Sequence, residues 1–353
     1  MKKVNTFSLM ALILIASLIT GCDHTVSHSS EHIQGNVAWA VGDADKNGYA
    51  TIYKTTDGGE TWNRPDANTT MLHGFNAENL YVVSDNDLWV VGSHKTVLHT
   101  NDSANTWQQF TPFPDTNSSL GFYAISALSP SDFWISGDNG MLIHTVDAAK
   151  HWTVVDPALF DYGLIQGVNA VDAHTVYIVG AEKGSNNGFV YRSTDNGQSW
   201  ESIDLLKTSY GWIGVRSSDK DHILVYGTKG HYAITKDAGK SWNIHQIVGG
   251  GENGADINDL AMLNHQTWWN AMDLNSIYFT DDSGVHWKRQ KSNANDNMYL
   301  VGIDAFNTTH ALITGVNAGW PPSGKIILTK DGGTTWTLQK KTDVPINKVS
   351  FVH

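Results

Sequence analysis

Short apolar runs recur seven times along this chain, and six of them end in glycine. They are WAVG (Trp39–Gly42), WVVG (Trp89–Gly92), WISG (Trp134–Gly137), YIVG (Tyr177–Gly180), LVYG (Leu224–Gly227), WWNA (Trp268–Ala271) and LITG (Leu312–Gly315). Runs of this length, rich in Val, Ile and aromatic residues and bounded by Gly or Asp, are typical of β-strands. The pattern predicts one β-structural unit repeated seven times.

Each run is followed by an eight-residue segment with Thr or Ser first, Asp third and Trp last. The copies are TTDGGETW (Thr55–Trp62), TNDSANTW (Thr100–Trp107), TVDAAKHW (Thr145–Trp152), STDNGQSW (Ser193–Trp200), TKDAGKSW (Thr235–Trp242), TDDSGVHW (Thr280–Trp287) and TKDGGTTW (Thr329–Trp336). Successive closing Trp residues are 45, 45, 48, 42, 45 and 49 positions apart. Self-similarity at this period is typical of propellers and solenoids.

The repeat divides into four short strands. In the third copy we predict strands at Phe122–Leu128, Asp132–Ser136, Met141–Thr145 and His151–Val155. Four antiparallel strands repeated radially form a propeller blade. The sequence therefore predicts an all-β, seven-bladed β-propeller.

The chain ends in an alternating segment, Ile346–His353, which follows the seventh repeat. The first apolar run begins only seventeen residues after Cys22, which leaves little room for a strand before it. We predict that the C-terminal segment supplies the innermost strand of the first blade and closes the ring.

The Asp of each eight-residue segment is predicted to be structural. An Asp side chain accepts backbone N–H bonds within a tight turn, and Gly adopts positive φ at little cost. Seven equivalent positions on a rim cannot converge on one substrate. This structural assignment covers Asp57, Asp102, Asp147, Asp195, Asp237, Asp282 and Asp331.

The N-terminal residues 1–21 have the features of a secretion signal. Lys2 and Lys3 precede an apolar stretch, Phe7–Ile19, that is too short to span a bilayer. The segment before Cys22 resembles the lipobox of bacterial lipoproteins, which implies cleavage before Cys22 and lipidation there. We predict a tether at 22–35, a propeller at 36–353, and a monomer in the cell envelope facing the periplasm or the exterior. Asp23 resembles the inner-membrane retention signal of enterobacterial lipoproteins.

The repeat as a whole resembles the Asp-box, or BNR repeat, of sialidases, sortilin-type receptors, xyloglucanases and photosystem II stability/assembly factors. The resemblance covers nearly all of the mature chain. Seven blades on a bacterial lipoprotein are most similar to the assembly-factor group. That group implies a protein-binding scaffold.

The charge of the chain bears on its partners. The formal net charge is −12, and loss of Lys2 and Lys3 with the signal would make it −14. An acidic body argues against binding nucleic acid through phosphates. We predict neither a cofactor nor a metal, and His24, His28 and His32 are assigned to the solvated tether.

Candidate binding residues lie on the face opposite the Asp-box turns, because strand direction alternates within each blade. The first, fourth and seventh repeats carry longer loops on that face, and the seventh contains a stiff apolar Trp-Pro-Pro segment of the kind that anchors interfaces. Such a loop could equally pack over its own blade. The candidates are Asp43, His73, Phe75, Asp161, Tyr162, Trp212, Glu252, Asp256, Tyr299, Trp320, Pro321 and Pro322.

Two binding functions remain open at this point, beside a bare solubility or spacer role. The first is a non-enzymatic scaffold that binds an envelope protein. The alternative is a carbohydrate-active protein, lectin or glycosidase, binding polysaccharide on the same face. Glycoside hydrolysis needs two carboxyl groups at a set separation, and Asp161, Glu252, Asp256 and Asp296 are candidates among which the sequence does not choose. A typical sialidase is disfavoured, because such enzymes bind the substrate carboxylate with three converging arginines. The chain has only four arginines, and two of them, Arg192 and Arg289, lie beside the Asp-box segments and so toward the other face.

Overall fold

The computed structural model describes residues 35–65, 70–113, 119–247, 254–291, 298–317, 319 and 321–353. These residues form seven antiparallel sheets, and the only helical elements among them are six short 3-10 turns. The predicted all-β, seven-bladed propeller is confirmed. Within these ranges no helix is long and apolar enough to cross a membrane.

The strands follow one another blade by blade. The first blade contains β1 (Ala38–Ala44), β2 (Ala50–Thr55) and the last strand, β27 (Ile346–Phe351). The second and third contain β3 (Ala77–Val82), β4 (Leu88–Gly92), β5 (Thr96–Thr100), β6 (Gln108–Phe110), β7 (Phe122–Ser129), β8 (Asp132–Gly137), β9 (Leu142–Thr145) and β10 (Thr153–Val154).

The remaining four blades repeat this order. The fourth and fifth contain β11 (Leu164–Ala170), β12 (Val176–Ala181), β13 (Gly188–Ser193), β14 (Glu201–Ser202), β15 (Trp212–Ser217), β16 (Ile223–Gly227), β17 (His231–Thr235) and β18 (Asn243–Gln246). The sixth and seventh contain β19 (Ile257–Met262), β20 (Trp268–Met272), β21 (Ser276–Thr280), β22 (Lys288–Lys291), β23 (Met298–Ala305), β24 (Ala311–Asn317), β25 (Ser323–Thr329) and β26 (Thr337–Thr342). The 3-10 turns are Thr70–Leu72, Ser93–Lys95, Asp138–Gly140, Pro157–Phe160, Asp204–Leu206 and Thr228–Gly230.

The ring is closed by the C-terminal strand, as predicted. β27 pairs antiparallel with β1, with Ala38 opposite Phe351 and Ala40 opposite Val349. It is the innermost strand of the first blade. The fourth strand of that blade is reduced to a single bridge between Lys54 and Asn63. The ladder stops there, and Pro65, two residues on, has no N–H to extend it.

The core lies between neighbouring blades. The closing Trp of each Asp-box packs against the adjacent sheet; Trp336 is fully buried and its ring centroid is 5.6 Å from that of Trp269 in the sixth blade. This stacking explains why the repeat needs a large apolar residue at the end of every turn: each blade buries its face only against the next.

Candidate functional site at the channel mouth

The polar side chains of the Asp-box turns form hydrogen bonds within the turns themselves. Asp57 Oδ1 accepts from Thr55 Oγ1 (2.7 Å) and the Thr61 backbone N–H (2.9 Å), and Asp57 Oδ2 accepts from Thr61 Oγ1 (2.6 Å). Thr55 Oγ1 in turn accepts from the Gly59 N–H (2.9 Å), and Trp62 Nε1 donates to the Gly59 carbonyl (3.0 Å). The geometry gives this carboxylate a structural role.

The other six turns repeat the hydrogen bonds of the Asp carboxylate and of the opening hydroxyl, whereas, among the described residues, the Trp Nε1 bond to a carbonyl within the turn is specific to the first copy. In the third and sixth copies the seventh residue is His151 or His286, whose Nδ1 lies 2.6 Å from Oδ2 of Asp147 or Asp282. Hydrogen bonds to the side chain and backbone of His151 lower the pKa of Asp147 to about 2. Ala104 and Ala149, which replace Gly in two copies, both adopt a φ of 65°, so these two turns keep the left-handed geometry without glycine.

A central cavity of about 430 Å³ opens between the innermost strands. Each of these strands contains one β-bulge near its start, on the face opposite the Asp-box turns. A bulge adds one residue to one strand and re-aims its side chain. The seven bulge residues all line the cavity, and we call them the bulge ring: Glu78, Tyr123, Gln166, Ile213, Asn258, Val301 and Asn347.

The recurrent glycine at the end of the second strand lies opposite the bulge of the innermost strand. Gly92 pairs with Ala77, and a Cβ on Gly92 would collide with the carbonyl oxygen of Asn76. The same collision with a neighbouring carbonyl occurs at Gly42, Gly137, Gly180 and Gly227. Glycine is therefore required by close backbone approach, and the bulge it permits directs one side chain of each blade toward the channel.

Below the bulge ring, a buried carboxylate joins four blades. Asp259 Oδ1 accepts from Arg216 (2.8 Å) and from the Tyr226 hydroxyl (3.1 Å), while Oδ2 accepts from Lys348 and from the Ile303 backbone N–H (2.9 Å). Burial opposes ionisation, but Lys348 and Arg216 hold the pKa of Asp259 below its ordinary value. Both cations of the channel, Arg216 and Lys348, thus already have this carboxylate as a partner.

The charged member of the bulge ring is Glu78. Burial, and then the negative charges of Asp43 and Asp138, raise the pKa of Glu78 to about 7. Tyr123 donates its hydroxyl hydrogen to Asp138 Oδ2 (3.1 Å). The mouth is therefore acidic on the side formed by the first three blades.

Several predicted binding residues do lie on this face. Asp43 accepts from Asn347 Nδ2 (2.9 Å) and so belongs to the channel mouth. Asp161 and Tyr162 follow the turn Pro157–Phe160 in the left-handed conformation, and the Lys183 ammonium lies 5.4 Å from the Tyr162 ring.

Other candidates are farther out or serve the scaffold. Asp256 Oδ1 accepts from the Lys229 N–H (2.8 Å), which ties the link before β19 to a neighbouring turn. The exposed His73 packs edge-on against Tyr49, 5.2 Å between ring centroids, beside a smaller cavity. Tyr299 is the second residue of β23 and is exposed.

Two candidates are corrected by their burial. Trp212 is fully buried and its Nε1 donates to the Leu206 carbonyl (2.8 Å). Phe75 is buried in the core between the first two blades. Both aromatic rings have packing roles: Trp212, the first residue of β15, packs in the core between the fourth and fifth blades, and Phe75 precedes β3 and packs in the core between the first and second. Glu252, Asp296, Trp320 and Cys22 lie outside the described residues, whereas Pro321 is exposed and Pro322 half-buried.

Sequence reasoning missed all seven residues of the bulge ring. A signal was present: β19 begins Ile-Asn-Asp and β27 begins Ile-Asn-Lys, each with polar residues directly after a buried Ile at the start of an inner strand. A strand with one buried face would place the second polar residue on the wrong side unless a bulge intervened.

Comparison with known proteins agrees with this architecture. Residues 67–204 match the family described as photosynthesis system II assembly factor YCF48. No curated protein sequence matches the chain.

Solved structures share the fold. YCF48 bound to D1 peptide is 18% identical, with a TM-score of 0.58 over 85% of this chain and 86% of that one. YCF48 from Cyanidioschyzon merolae is 18% identical, with a TM-score of 0.59 over 85% and 96%. A protein from Lactobacillus plantarum is 13% identical, with a TM-score of 0.62 over 90% and 99%. The chain is thus a seven-bladed propeller that resembles the YCF48 assembly factors, matching their family over residues 67–204 and sharing their fold.

Proposed function

We propose that this protein is a non-enzymatic scaffold that binds a partner protein through the face opposite the Asp-box turns. The observation that carries the proposal is a set of exposed apolar side chains around the polar channel mouth. Tyr123 and Tyr299 belong to innermost strands and are 37% and 43% exposed. Tyr162 (48%) and Leu274 (61%) stand on loops of the same face.

Aromatic and aliphatic side chains around a polar centre are typical of protein interfaces. Further exposed apolar residues on this face are Met71, Leu159 and Leu205, all on links between blades. Tyr123 lines the concave, polar cavity, and the other residues belong to the face on which that cavity opens. The arrangement favours a polypeptide that contacts the rim with apolar side chains and reaches the cavity with a polar one.

The comparisons support a protein partner without specifying which protein it is. One similar structure is YCF48 bound to D1 peptide, so a propeller of this fold binds a polypeptide. By analogy, we infer a role in the assembly of a membrane protein complex.

The proposed location is the bacterial cell envelope, with lipid on Cys22 and the inner membrane favoured by Asp23. Residues 22–35 would act as a tether that holds the propeller near a membrane-bound partner. The Cys22→Ser variant, expressed in a bacterium and fractionated, should move from the membrane to the soluble fraction. Retention of that variant in the membrane would contradict a lipid anchor.

The carbohydrate alternative has weaker support. Among its carboxylates, Asp161 lies at the end of a 3-10 turn and Asp256 accepts a backbone hydrogen bond from another loop. Neither observation favours a catalytic pair, so a bound glycan is kept as an outcome of the test below.

The test is co-purification of the tagged chain from its own membranes after mild cross-linking. We expect one protein in near-stoichiometric amount, lost in the Leu274→Ser/Tyr299→Ser double variant. Val285→Ser is the matched control, because Val285 is 72% exposed but belongs to an Asp-box turn on the other face. Equal recovery of the partner by all variants would exclude the proposed face, and recovery of a glycan instead would favour the alternative.

A further inference from the structure

We propose that the partner presents a lysine or arginine side chain, carried on an apolar segment, to the channel mouth, where the Glu78 carboxylate receives it. This inference rests on the proposed function and specifies the chemistry of the partner. It follows from three properties of the bulge ring and its surroundings.

The first property is an excess of hydrogen-bond acceptors. Asn347 Nδ2 donates to Asp43 Oδ1 (2.9 Å) and to the Ala77 carbonyl (3.0 Å), which uses both of its hydrogens. Asn258 Nδ2 likewise donates to Asp273 Oδ1 (2.7 Å) and the Leu300 carbonyl (2.8 Å). An amide whose hydrogens are both used offers only its oxygen to a ligand.

The second property concerns Glu78 itself. In the described part of the chain, no donor contacts its carboxylate, although burial and the Asp43 and Asp138 charges disfavour its ionisation. Tyr123, the one tyrosine of the bulge ring, donates its hydroxyl hydrogen to Asp138 instead. A cation placed here would satisfy the carboxylate and offset the repulsion among the three acids.

The third property is the position of the cations. Inside the channel, Arg216 and Lys348 both bind Asp259, below the bulge ring. On the same face, Lys46, Lys95, Lys183 and Lys229 belong to loops between the second and third strands of their blades, and the Lys95 ammonium lies 5.4 Å from the Phe113 ring. The charges that act on the pKa of Glu78 are those of Asp43 and Asp138, and both are negative. The mouth is therefore complementary to a cation, whereas its rim is apolar.

A flexible lysine or arginine matches this combination. Its aliphatic stem packs on apolar surface while the charged end reaches water or an acceptor. An ammonium or guanidinium carries only donors, so it complements the Glu78 carboxylate and the side-chain oxygens of Asn258 and Asn347. The tyrosine rings at the rim can also contact a cation through their faces.

The experiment uses the full mature chain and four fluorescent peptides of about a dozen residues with identical Leu- and Tyr-rich flanks. They differ only at the central residue, which is Lys, Arg, norleucine or Glu. Binding is measured by fluorescence anisotropy at pH 8, where Glu78 is ionised in the free protein. We expect the Lys and Arg peptides to bind about tenfold tighter than the norleucine peptide, and the Glu peptide to bind most weakly.

Glu78→Gln should weaken the Lys peptide about tenfold and leave the norleucine peptide unchanged, since only the charge pair is lost. Glu60→Gln is the matched control: it removes the same charge from an exposed Asp-box residue that pairs with Lys330. It should change neither affinity.

The outcomes separate the two proposals. Equal binding of all peptides, or no effect of Glu78→Gln, would overturn the cation inference. If all peptides bound equally and this binding were lost in the Leu274→Ser/Tyr299→Ser variant, the proposed protein-binding face would stand without the cation inference. Absence of binding by every peptide would overturn the inference, and absence of a co-purified partner as well would overturn the proposed function.

Discussion

Gly92 and Asn76 approach each other so closely that a Cβ atom on residue 92 would overlap the Asn76 carbonyl oxygen. This approach permits the bulge at Glu78, and its equivalent recurs around the ring. The recurrent glycine of the second strand and the bulge residue that lines the channel therefore depend on the same close backbone approach.

Gly92→Ala should therefore disturb both stability and the mouth. We expect the free energy of unfolding to fall by about 1–3 kcal/mol, because the backbone must shift to admit the methyl group. Urea unfolding measures this loss, and the Lys-peptide assay reports displacement of Glu78. Gly121→Ala is the control, since its Cβ would meet only ordinary contacts at 3.5 Å; a comparable loss there would contradict the explanation.

The ion network at Asp259 should be a main support of the closed ring. Asp259→Ala leaves Arg216 and Lys348 without their shared carboxylate and removes the acceptor of the Ile303 N–H. Removing one partner of a buried ion pair costs about 3–5 kcal/mol, and chemical denaturation should show a loss of that size. Glu60→Gln, which breaks an exposed pair, should cost less than about 1 kcal/mol. Similar losses in the two variants would argue against a special role for the channel network.

Glu78 should reduce the stability of the propeller at neutral pH. Its pKa is raised from 4.5 to about 7 in the folded chain, so between these values the folded state holds a proton that the unfolded state has released. The free energy of unfolding then falls as the pH rises through this window, by at most about 3 kcal/mol at about 1.4 kcal/mol per pKa unit. Glu78→Gln should accordingly be more stable than the parent at pH 8 and similar to it at pH 4.5.

Thermal or urea unfolding at several pH values between 4.5 and 8 measures this difference. Unchanged relative stability of the parent and the variant across the range would show that Glu78 is well solvated. A gain at pH 8 together with weaker peptide binding would mark Glu78 as a residue retained for binding at a cost in stability.

The C-terminal strand should be indispensable for folding. Deletion of Ile346–His353 removes β27, exposes β1 and takes away Lys348 of the ion network and Phe351, whose N–H donates to Asp304 (2.8 Å). We expect a large drop in melting temperature or failure to fold, followed by circular dichroism. Deletion of His353 alone removes one half-exposed ion pair with Asp304 and should have a small effect. An unchanged melt after the longer deletion would contradict closure by this strand.

The local features of the fold were accessible to sequence reasoning. For the third blade we predict Phe122–Leu128 and observe Phe122–Ser129, and the alternation of Ile346–His353 indicates the closing strand. Trp212 and Phe75 were wrongly predicted to be binding residues, because an aromatic residue at or just before the start of an innermost strand is equally suited to a surface and to a core. Glu78 was overlooked because the break in alternation that marks its bulge is short: in β3 two polar residues lie between the buried Ala77 and Leu80.

The sequence by itself determined the number of blades, the Asp-box turns and the closing strand, since these depend on local periodicity and on turn chemistry within eight residues. Only the tertiary structure decided which side chains face the channel. The register of β3 against β4 directs Glu78 toward the mouth. The convergence of separate blades brings Arg216, Asp259 and Lys348 together. Register and convergence are properties of backbones far apart in the chain, so they become visible only once the ring is assembled.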